Sequence, residues 1–289
     1  MNQKFYRTAI LPCRCLGLLS VRARASPVSS YGENELESFI TLADRLADTA
    51  RGIVLANYRK HTVVEDKPDH TPVTAVDRAV EAELRRIIEA AYPDHGVIGE
   101  EFAPYRPDAE YVWIIDPIDG TKAFLCGIPV FGTLIALTHR GIPILGIIDQ
   151  PVNRERWLGV QGRSTTLNGA RIDTRACSDL ILATLCATTP EMFTGAAASN
   201  FEHLGKAVKM IRYGTDCYGY GLLACGFVDL VVEADLSPYD YFAHVPIVQG
   251  AGGIITDWAG QALTLRHTAS RIIAAGNRSV HRAALSLLA

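Results

Sequence analysis

Residues 113–122 read Trp-Ile-Ile-Asp-Pro-Ile-Asp-Gly-Thr-Lys, an apolar strand that leads into a turn carrying two carboxylates, Asp116 and Asp119. Pro117 restrains the backbone between them, and Gly120 allows the backbone to approach a ligand closely. Two carboxylates at close range do not both stay ionised without a cation, and Mg²⁺ is commonly bound by a few carboxylates together with substrate phosphate. The stretch indicates a metal site beside an anion-binding turn, with a plain polar turn as the alternative when it is taken alone.

The composition is that of a globular protein. Of its 289 residues, 48% are hydrophobic and 20% are charged, which excludes extensive disorder and collagen-like or coiled-coil architectures. A run of about 18 apolar residues free of charge does not occur, so a membrane-spanning helix is not predicted. The net charge of −3 argues against non-specific binding of nucleic acid. Because residues 1–32 hold five basic residues and no acidic one, the remainder carries −8, as in proteins that gather carboxylates around cations.

Residues 1–32 form a basic N-terminal extension that is expected to be disordered or to act in targeting. The extension is rich in Arg and Ser and lacks acidic residues, as organelle transit peptides do. Pro12 and Arg14 interrupt the apolar core that a secretory signal would need. A disordered tail, or a start codon assigned too far upstream, is the third alternative. Residues 33–289 are expected to form one domain, in the cytoplasm unless the extension directs it to an organelle.

Cysteine and histidine spacings argue against two other kinds of site. The seven cysteines are irregularly spaced and form no C-x-x-C, which argues against a zinc ribbon or a thioredoxin-type site and predicts reduced thiols. The eight histidines form no H-x-H or H-E-x-x-H pattern, so we expect them at the surface or in turns and not around a metal.

Hydrophobic periodicity predicts a mixture of helices and strands without a strict βαβ rhythm. Apolar residues recur at helical spacing over residues 34–58 and 75–91, and another helix is predicted over residues 201–210. The mixture favours layered sheets and helices over a barrel. Strands are predicted over residues 112–115, 133–138, 144–148, 156–160, 165–167, 228–233, 254–257 and 272–275, and further helices from about Tyr239 and Ser279.

Three further segments accompany the Asp-Pro-Ile-Asp-Gly-Thr of residues 116–121. Residues 72–77 read Pro-Val-Thr-Ala-Val-Asp, residues 98–101 read Ile-Gly-Glu-Glu, and residues 238–240 read Pro-Tyr-Asp, ahead of Gly-Ala-Gly-Gly at 250–253. In this order the four segments resemble the inositol monophosphatase family of Mg²⁺-dependent, lithium-sensitive phosphatases, and the resemblance spans about residues 34–289. The resemblance implies an α+β layered sandwich with the layer order αβαβα.

The resemblance also implies roles for individual residues. Asp77 and Thr121 would orient and activate the attacking water, with the Asp77 carboxylate accepting a hydrogen bond from the Thr121 hydroxyl. The backbone N–H groups of Gly120 and Thr121 would cradle the phosphate, and Lys67 matches a loop lysine near the metals. The implied ligands of two or three Mg²⁺ ions, of which Glu100 is also counted as catalytic, are Glu100, Asp116, the backbone carbonyl of Ile118, Asp119 and Asp240.

The implied reaction is hydrolysis of a phosphate monoester by metal-activated water, without a covalent intermediate. Asp240 would contact the substrate as well as a metal. The expected partner is a small-molecule phosphate ester, with neither nucleic acid nor a membrane as a partner. A homodimer is the expected assembly, because dimers are common in the family.

The residues around the last ligand resemble one branch of the family, the histidinol-phosphate phosphatases. Residues 236–246 read Leu-Ser-Pro-Tyr-Asp-Tyr-Phe-Ala-His-Val-Pro, whereas the typical family signature has Trp directly before this Asp. His244 stands where many branch members have an aliphatic residue. Glu233 lies seven residues before Asp240, the spacing of a substrate-contacting glutamate in the family. Glu233 and Asp216 are expected to bind the ammonium and imidazole end of histidinol phosphate, because a site built to pair with a cation discriminates against a neutral analogue.

Two alternatives to this substrate remain open. The same chemistry would serve inositol phosphate, another sugar phosphate or a 3′-phosphoadenosine nucleotide. A catalytically inactive family member that acts as a binding protein is the alternative from a different class, although every carboxylate of the motifs is present.

Overall fold

A computed structural model describes residues 32–60, 64–66 and 72–288. The predicted N-terminal extension, apart from residue 32, and the predicted accessory residue Lys67 lie outside these ranges. Among the described residues, every helix is too short or too polar to span a membrane.

The helices of the described residues follow the predicted pattern closely at the N-terminal end of the chain. The helix predicted over residues 75–91 has these bounds in the structure. Two single turns of 3₁₀ helix lie at Leu180–Leu182 and Pro190–Met192. The α-helices are α1 (Glu33–Asn57), α2 (Ala75–Ala91), α3 (Thr121–Cys126), α4 (Ala196–Ala207), α5 (Asp216–Ala224), α6 (Pro238–Tyr241), α7 (His244–Gly250) and α8 (Arg278–Leu288).

The strands form two large sheets and a small antiparallel pair, β1 with β2. The larger sheet has the order β3-β4-β5-β6-β7-β8-β9 and is antiparallel except for β3 beside β4. The smaller sheet has the order β11-β10-β12-β14-β13. The strands are β1 (Val64–Asp66), β2 (Pro72–Thr74), β3 (Gly96–Gly99), β4 (Tyr111–Asp119), β5 (Gly132–His139), β6 (Ile142–Gln150), β7 (Glu155–Val160), β8 (Thr166–Leu167), β9 (Ala170–Arg171), β10 (Thr184–Ala187), β11 (Met210–Tyr213), β12 (Leu230–Glu233), β13 (Ile254–Asp257) and β14 (Ile272–Ala275).

Successive side chains of a buried strand point to opposite faces of its sheet, so each large sheet packs against helices on both faces. The helices and sheets therefore form five layers. Trp113 and Ile115 of β4 face α1 and α2, whereas Val112 and Ile114 face α5 and α7. In the smaller sheet, Val231 of β12 faces the same central helices, and its neighbours on that strand face α4 and α8. Both sheets are therefore buried on both faces, and the predicted αβαβα layered sandwich is confirmed.

Two expectations about local structure are wrong. The helix predicted over residues 201–210 ends at Ala207, and Met210–Tyr213 instead form the edge strand β11, parallel to β10. Val208 and Ile211 pack beside α4, but both have extended backbone: Val208 is the residue after the helix, and Ile211 pairs with Leu185 of β10. The histidines were expected at the surface or in turns, yet four are buried because their rings pack among aromatic side chains or inside the core, namely His95, His139, His244 and His281.

His95 lies in a stack of aromatic rings at the end of the larger sheet. Its ring is parallel to that of Tyr92 at 4.4 Å between centroids and stacks on Tyr111 at 4.9 Å. Its Nδ1 accepts a hydrogen bond of 3.1 Å from the indole nitrogen of Trp113. Burial lowers the pKa of His95 to about 4, against a weaker opposing effect of Asp94. The folded protein therefore holds this imidazole neutral.

We predict that His95 makes folding sensitive to mild acid. Because its folded pKa lies below the ordinary value of 6.5, its contribution to stability is complete above pH 6.5 and is lost as the pH falls towards 4. Between pH 7.5 and pH 5 the loss amounts to about 2 kcal/mol. In urea unfolding, His95→Gln should flatten the pH dependence of the unfolding free energy by that amount. His203→Gln, at an exposed position of α4, should follow the wild-type curve, and a parallel curve for His95→Gln would contradict the prediction.

Candidate active site

A β-bulge at the end of β4 brings two carboxylates to one side of the strand. Side chains three residues apart point to opposite faces of a regular strand. The pairing of β4 with β5 shifts between Asp116, opposite Leu134, and Asp119, opposite Gly132. This shift inserts one extra residue into β4 and restores Asp119 to the side of Asp116. The Thr133 hydroxyl donates to the Pro117 carbonyl at 2.8 Å and holds the bulge.

A third carboxylate reaches the bulge from α6. Asp240 occupies the third position of this helix, where its Oδ2 accepts the Ser237 backbone N–H at 2.6 Å in a capping box. Oxygens of Asp116, Asp119 and Asp240 lie within 4.8 Å of one another. Asp116 is buried, and its Oδ1 has no hydrogen-bond partner among the described residues. We call these three residues the carboxylate cluster.

The electrostatics of the carboxylate cluster favour a bound cation. Burial raises the pKa of Asp116 well above its usual range, and the charges of Glu100, Asp119 and Asp240 raise it further. Burial likewise raises the pKa of Asp119, together with the charges of Asp216 and Asp240. A hard divalent cation prefers oxygen ligands and removes this repulsion. The unpartnered buried oxygen and the all-oxygen donor set therefore fit such an ion.

Glu100, a predicted ligand, follows β3 and lines the same cavity as the cluster. Its loop is held by Glu81 of α2, which the sequence analysis missed. The fully buried Glu81 carboxylate accepts the backbone N–H of Glu101 at 2.7 Å and pairs with Arg85 at 2.8 Å. Gly99 makes this approach feasible, because any Cβ there would clash with the Glu81 carboxylate.

Asp77 and Thr121, the predicted water-activating pair, are not bonded to each other in this structure. Asp77 caps α2, and its Oδ2 accepts the Thr74 hydroxyl at 2.5 Å and the Thr74 N–H at 3.0 Å. The Thr121 hydroxyl donates to the Ile118 carbonyl at 3.1 Å. Burial raises the pKa of Asp77, and the hydrogen bonds from Thr74 oppose this. The predicted Thr121–Asp77 hydrogen bond is therefore wrong for this structure, because each side chain bonds to a neighbour three residues away.

One cavity of about 690 Å³ contains most of the predicted site. Asp77 is buried beneath its wall and does not line it, and Lys67 lies outside the described residues. Several further residues line the cavity without having been predicted, and the polar ones are Lys122, Thr188, Asp235, Ser237 and Tyr239. The predicted residues that line the cavity are Glu100, Asp116, Ile118, Asp119, Gly120, Thr121, Asp216, Glu233 and Asp240.

Gly120 joins the bulge to α3 and lies against α5. Its φ of 83° is in the left-handed region, which glycine adopts without strain. A Cβ at this position would lie 3.0 Å from Cγ of Asp216. Glycine therefore suits this position both for its left-handed backbone and for its close approach to Asp216.

Asp216 and Glu233 form an acidic wall in the same cavity as the carboxylate cluster. Asp216 begins α5, and Glu233 ends β12 and is buried. Glu233 accepts hydrogen bonds from the Thr188 hydroxyl and, at 2.9 Å, from the Tyr220 hydroxyl. Burial and the charge of Glu233 raise the pKa of Asp216 to about 7, while Lys122 opposes this. The two carboxylates thus repel each other when no cation lies between them.

The fold and the acidic cavity together are those of a known family. The model of the inositol monophosphatase family matches residues 35–289. The chain belongs to the inositol monophosphatase family. It is therefore a phosphatase of a family whose enzymes are metal-dependent, with an acidic cluster that could hold metal in its cavity. The family predicted from the four motifs is confirmed.

Relatives of the chain include a bifunctional phosphatase and a histidinol-phosphatase. Bifunctional phosphatase IMPL2, chloroplastic, of Arabidopsis thaliana is 44% identical over 268 residues, which cover 90% of this chain and 78% of that protein. A histidinol-phosphatase of Chlorobaculum parvum is 35% identical over 224 residues, covering 77% and 86%. A solved inositol monophosphatase of Zymomonas mobilis superposes with a TM-score of 0.80 at 44% identity, covering 87% of this chain and 98% of that one.

We predict that the carboxylate cluster destabilises the metal-free protein and is relieved by Mg²⁺. Asp116→Asn removes one buried charge, so the metal-free variant should gain on the order of 1 kcal/mol, roughly 2–4 °C in melting temperature. The same variant should lose the rise in melting temperature that Mg²⁺ gives the wild type, because a ligand is missing.

Thermal unfolding monitored by circular dichroism, in EDTA and in excess Mg²⁺, measures both effects. Asp173→Asn serves as the control, since Asp173 is exposed and pairs with Arg171. An Asp116→Asn variant that responds to Mg²⁺ like the wild type would contradict the metal assignment.

Proposed function

We propose that the protein is a Mg²⁺-dependent phosphomonoesterase that hydrolyses histidinol phosphate to histidinol and phosphate. The choice of substrate rests on one observation: the acidic wall of Asp216 and Glu233 lies in the same cavity as the carboxylate cluster. A substrate of this cavity then carries a phosphate for one end and a cationic group for the other. Histidinol phosphate has both, because its ammonium and imidazole groups are carried on the alcohol side of the ester.

Charge favours this ester over inositol phosphate. Glu233 is buried and Asp216 is half-buried, and the charge of Glu233 adds to burial in raising the pKa of Asp216. An ammonium group placed between them would satisfy both carboxylates. The hydroxyls of inositol could donate hydrogen bonds but would leave the repulsion in place. A site with buried charges discriminates by orders of magnitude against a ligand that leaves them unpaired.

In the proposed reaction, one set of residues would hold the metal ions. Two or three Mg²⁺ ions would be held by Glu100, Asp116, the Ile118 carbonyl, Asp119 and Asp240. When bound, these ions would neutralise the charge of the phosphate and lower the pKa of a coordinated water molecule. The Ile118 carbonyl can accept the Thr121 hydroxyl and still offer a second lone pair.

Positioning of the substrate and water falls to the residues after the bulge. The backbone N–H groups of Gly120 and Thr121 would donate to the phosphate at the start of α3. The Thr121 hydroxyl would orient the attacking water, and Asp77, which accepts both donors of Thr74, would keep a negative charge behind it. The buried position of this carboxylate excludes bulk water from that side.

The relatives support two substrates. The 35% identical protein of Chlorobaculum parvum is named a histidinol-phosphatase, which favours the proposed ester. The solved structure from Zymomonas mobilis, at 44% identity, is an inositol monophosphatase, and inositol phosphate is therefore the second candidate.

A substrate panel tests the proposal. We expect Mg²⁺-dependent release of phosphate from histidinol phosphate to exceed that from inositol 1-phosphate, fructose 1,6-bisphosphate and 3′-phosphoadenosine 5′-phosphate, and EDTA to abolish it. Preference for another ester would contradict the substrate assignment and leave the metal chemistry standing. A lack of release from every ester of the panel would contradict both.

Neutralising the acidic wall should remove the preference. We expect Asp216→Asn and Glu233→Gln each to lower kcat/KM for histidinol phosphate about 10- to 100-fold, the effect of losing a hydrogen bond to a charged group. The value for inositol 1-phosphate should change by less than about threefold. Glu202→Gln is the matched control, because Glu202 is exposed on α4 and pairs with Lys206 at 2.6 Å. Equal losses on both esters would contradict a role in substrate choice.

A further inference from the structure

His244 is a buried histidine that has no role in the proposed metal site, in substrate binding or in water activation. It begins α7 and has no exposed surface. The Asp240 backbone carbonyl lies near the ring, but neither ring nitrogen makes a hydrogen bond within the described residues. Burial lowers the pKa of His244 to about 3, so the ring is neutral. Buried polar groups are nearly always hydrogen-bonded, and an exception needs a reason.

One face of the His244 ring packs against another aromatic ring. It stacks on Tyr220 of α5 with 4.0 Å between ring centroids and 17° between the planes. Tyr220 is itself buried, and its hydroxyl donates to Oε2 of Glu233 at 2.9 Å. Oε1 of Glu233 accepts the Thr188 hydroxyl. The stack therefore ends on the buried carboxylate of the acidic wall.

The geometry of α5 directs this contact towards the substrate side of the cavity. Asp216 is the first residue of α5, with a left-handed φ of 44°, and Tyr220 follows four residues later in the same helix. Asp216 lines the cavity, while Tyr220 lies one turn deeper and meets Glu233 from β12. Burial and the charge of Glu233 raise the pKa of Tyr220 well above its usual range, so the hydroxyl keeps the proton that it donates.

We propose that His244 and Tyr220 are positioning residues that raise the affinity of this phosphatase for an ammonium-bearing ester. His244 fixes the plane of the Tyr220 ring by stacking, and the Tyr220 hydroxyl, with Thr188, fixes the Glu233 carboxylate opposite Asp216. An aliphatic residue, which many members of the branch have at position 244, would fill the space but would not align the Tyr220 ring in this way, because aromatic pairs have preferred orientations. The stack therefore adjusts the affinity of this chain and is not what makes the branch specific. The inference rests on the proposed function and adds to it the residues that hold the acidic wall in place.

Kinetics with two esters test the inference on the full chain. Tyr220→Phe removes only the hydroxyl, and His244→Leu removes only the stacked ring. Each should raise KM for histidinol phosphate roughly tenfold, equivalent to 1.4 kcal/mol, and leave kcat within about twofold. KM for inositol 1-phosphate should not change. The double variant should be no worse than Tyr220→Phe alone, because both changes act through one hydrogen bond.

Tyr218→Phe is the matched control. Tyr218 lies on the same helix and its hydroxyl donates to Glu155 at 2.6 Å, so the same substitution removes a similar bond outside the cavity. It should leave both KM values unchanged. Calorimetric titration of each variant with histidinol phosphate, with Ca²⁺ replacing Mg²⁺, gives the affinity as a second readout.

The outcomes separate the inference from the function on which it rests. If the wild type prefers histidinol phosphate and Tyr220→Phe keeps that preference, or weakens both esters equally, the inference is overturned and the proposed function stands. Additive losses in the double variant would likewise overturn the link between the two residues. If the wild type does not prefer histidinol phosphate, the proposed function fails and the inference fails with it.

Discussion

Mutual repulsion among three carboxylates is the constraint around which the cavity is built. Asp116, Asp119 and Asp240 are held within 4.8 Å of one another, and an oxygen of Asp116 is buried without a partner. Folding alone does not stabilise this arrangement, because neighbouring negative charges in a buried site raise the pKa values of the carboxyl groups. The fold holds them there through a bulge in β4 and a capping box in α6, both of which fix backbone and side chain locally.

The layers explain why these groups meet in one place. Strands β3 and β4 are parallel neighbours, and Glu100 and Asp119 lie where they end. In the other sheet β10 and β12 are parallel neighbours, and Thr188 and Glu233 lie at their ends. Residues at the carboxyl ends of parallel strands share one edge of a sheet, the usual place for a ligand. The cavity lies at these strand ends, and helices complete it: the larger sheet supplies Asp116 and Asp119, and the smaller sheet supplies Glu233. Asp216 comes from α5 and Asp240 from α6.

The sequence predicts the local parts of this account and misses the parts that depend on tertiary contact. The bounds of α2 follow from its apolar spacing and its capping Thr74, and the motif residues predict the carboxylate cluster. No sequence pattern marks Glu81, because its carboxylate binds the backbone of a loop about twenty residues further along the chain. Tyr220 and Thr188 likewise gain meaning only when α5 and β10 meet Glu233. The sequence does not indicate the edge strand β11, because a strand of four residues beside β10 is too short to show a periodicity of its own.

The central claim is that one cavity holds the phosphate at the carboxylate cluster and a cationic group at the acidic wall. A crystal structure of the protein with Ca²⁺ and histidinol phosphate tests it most directly. The account predicts ions bound by Asp116, Asp119 and Asp240, the phosphate beside them, and the substrate ammonium within hydrogen-bond distance of Asp216 or Glu233. An ester bound with its ammonium in solvent, or ions bound away from the cluster, would contradict it.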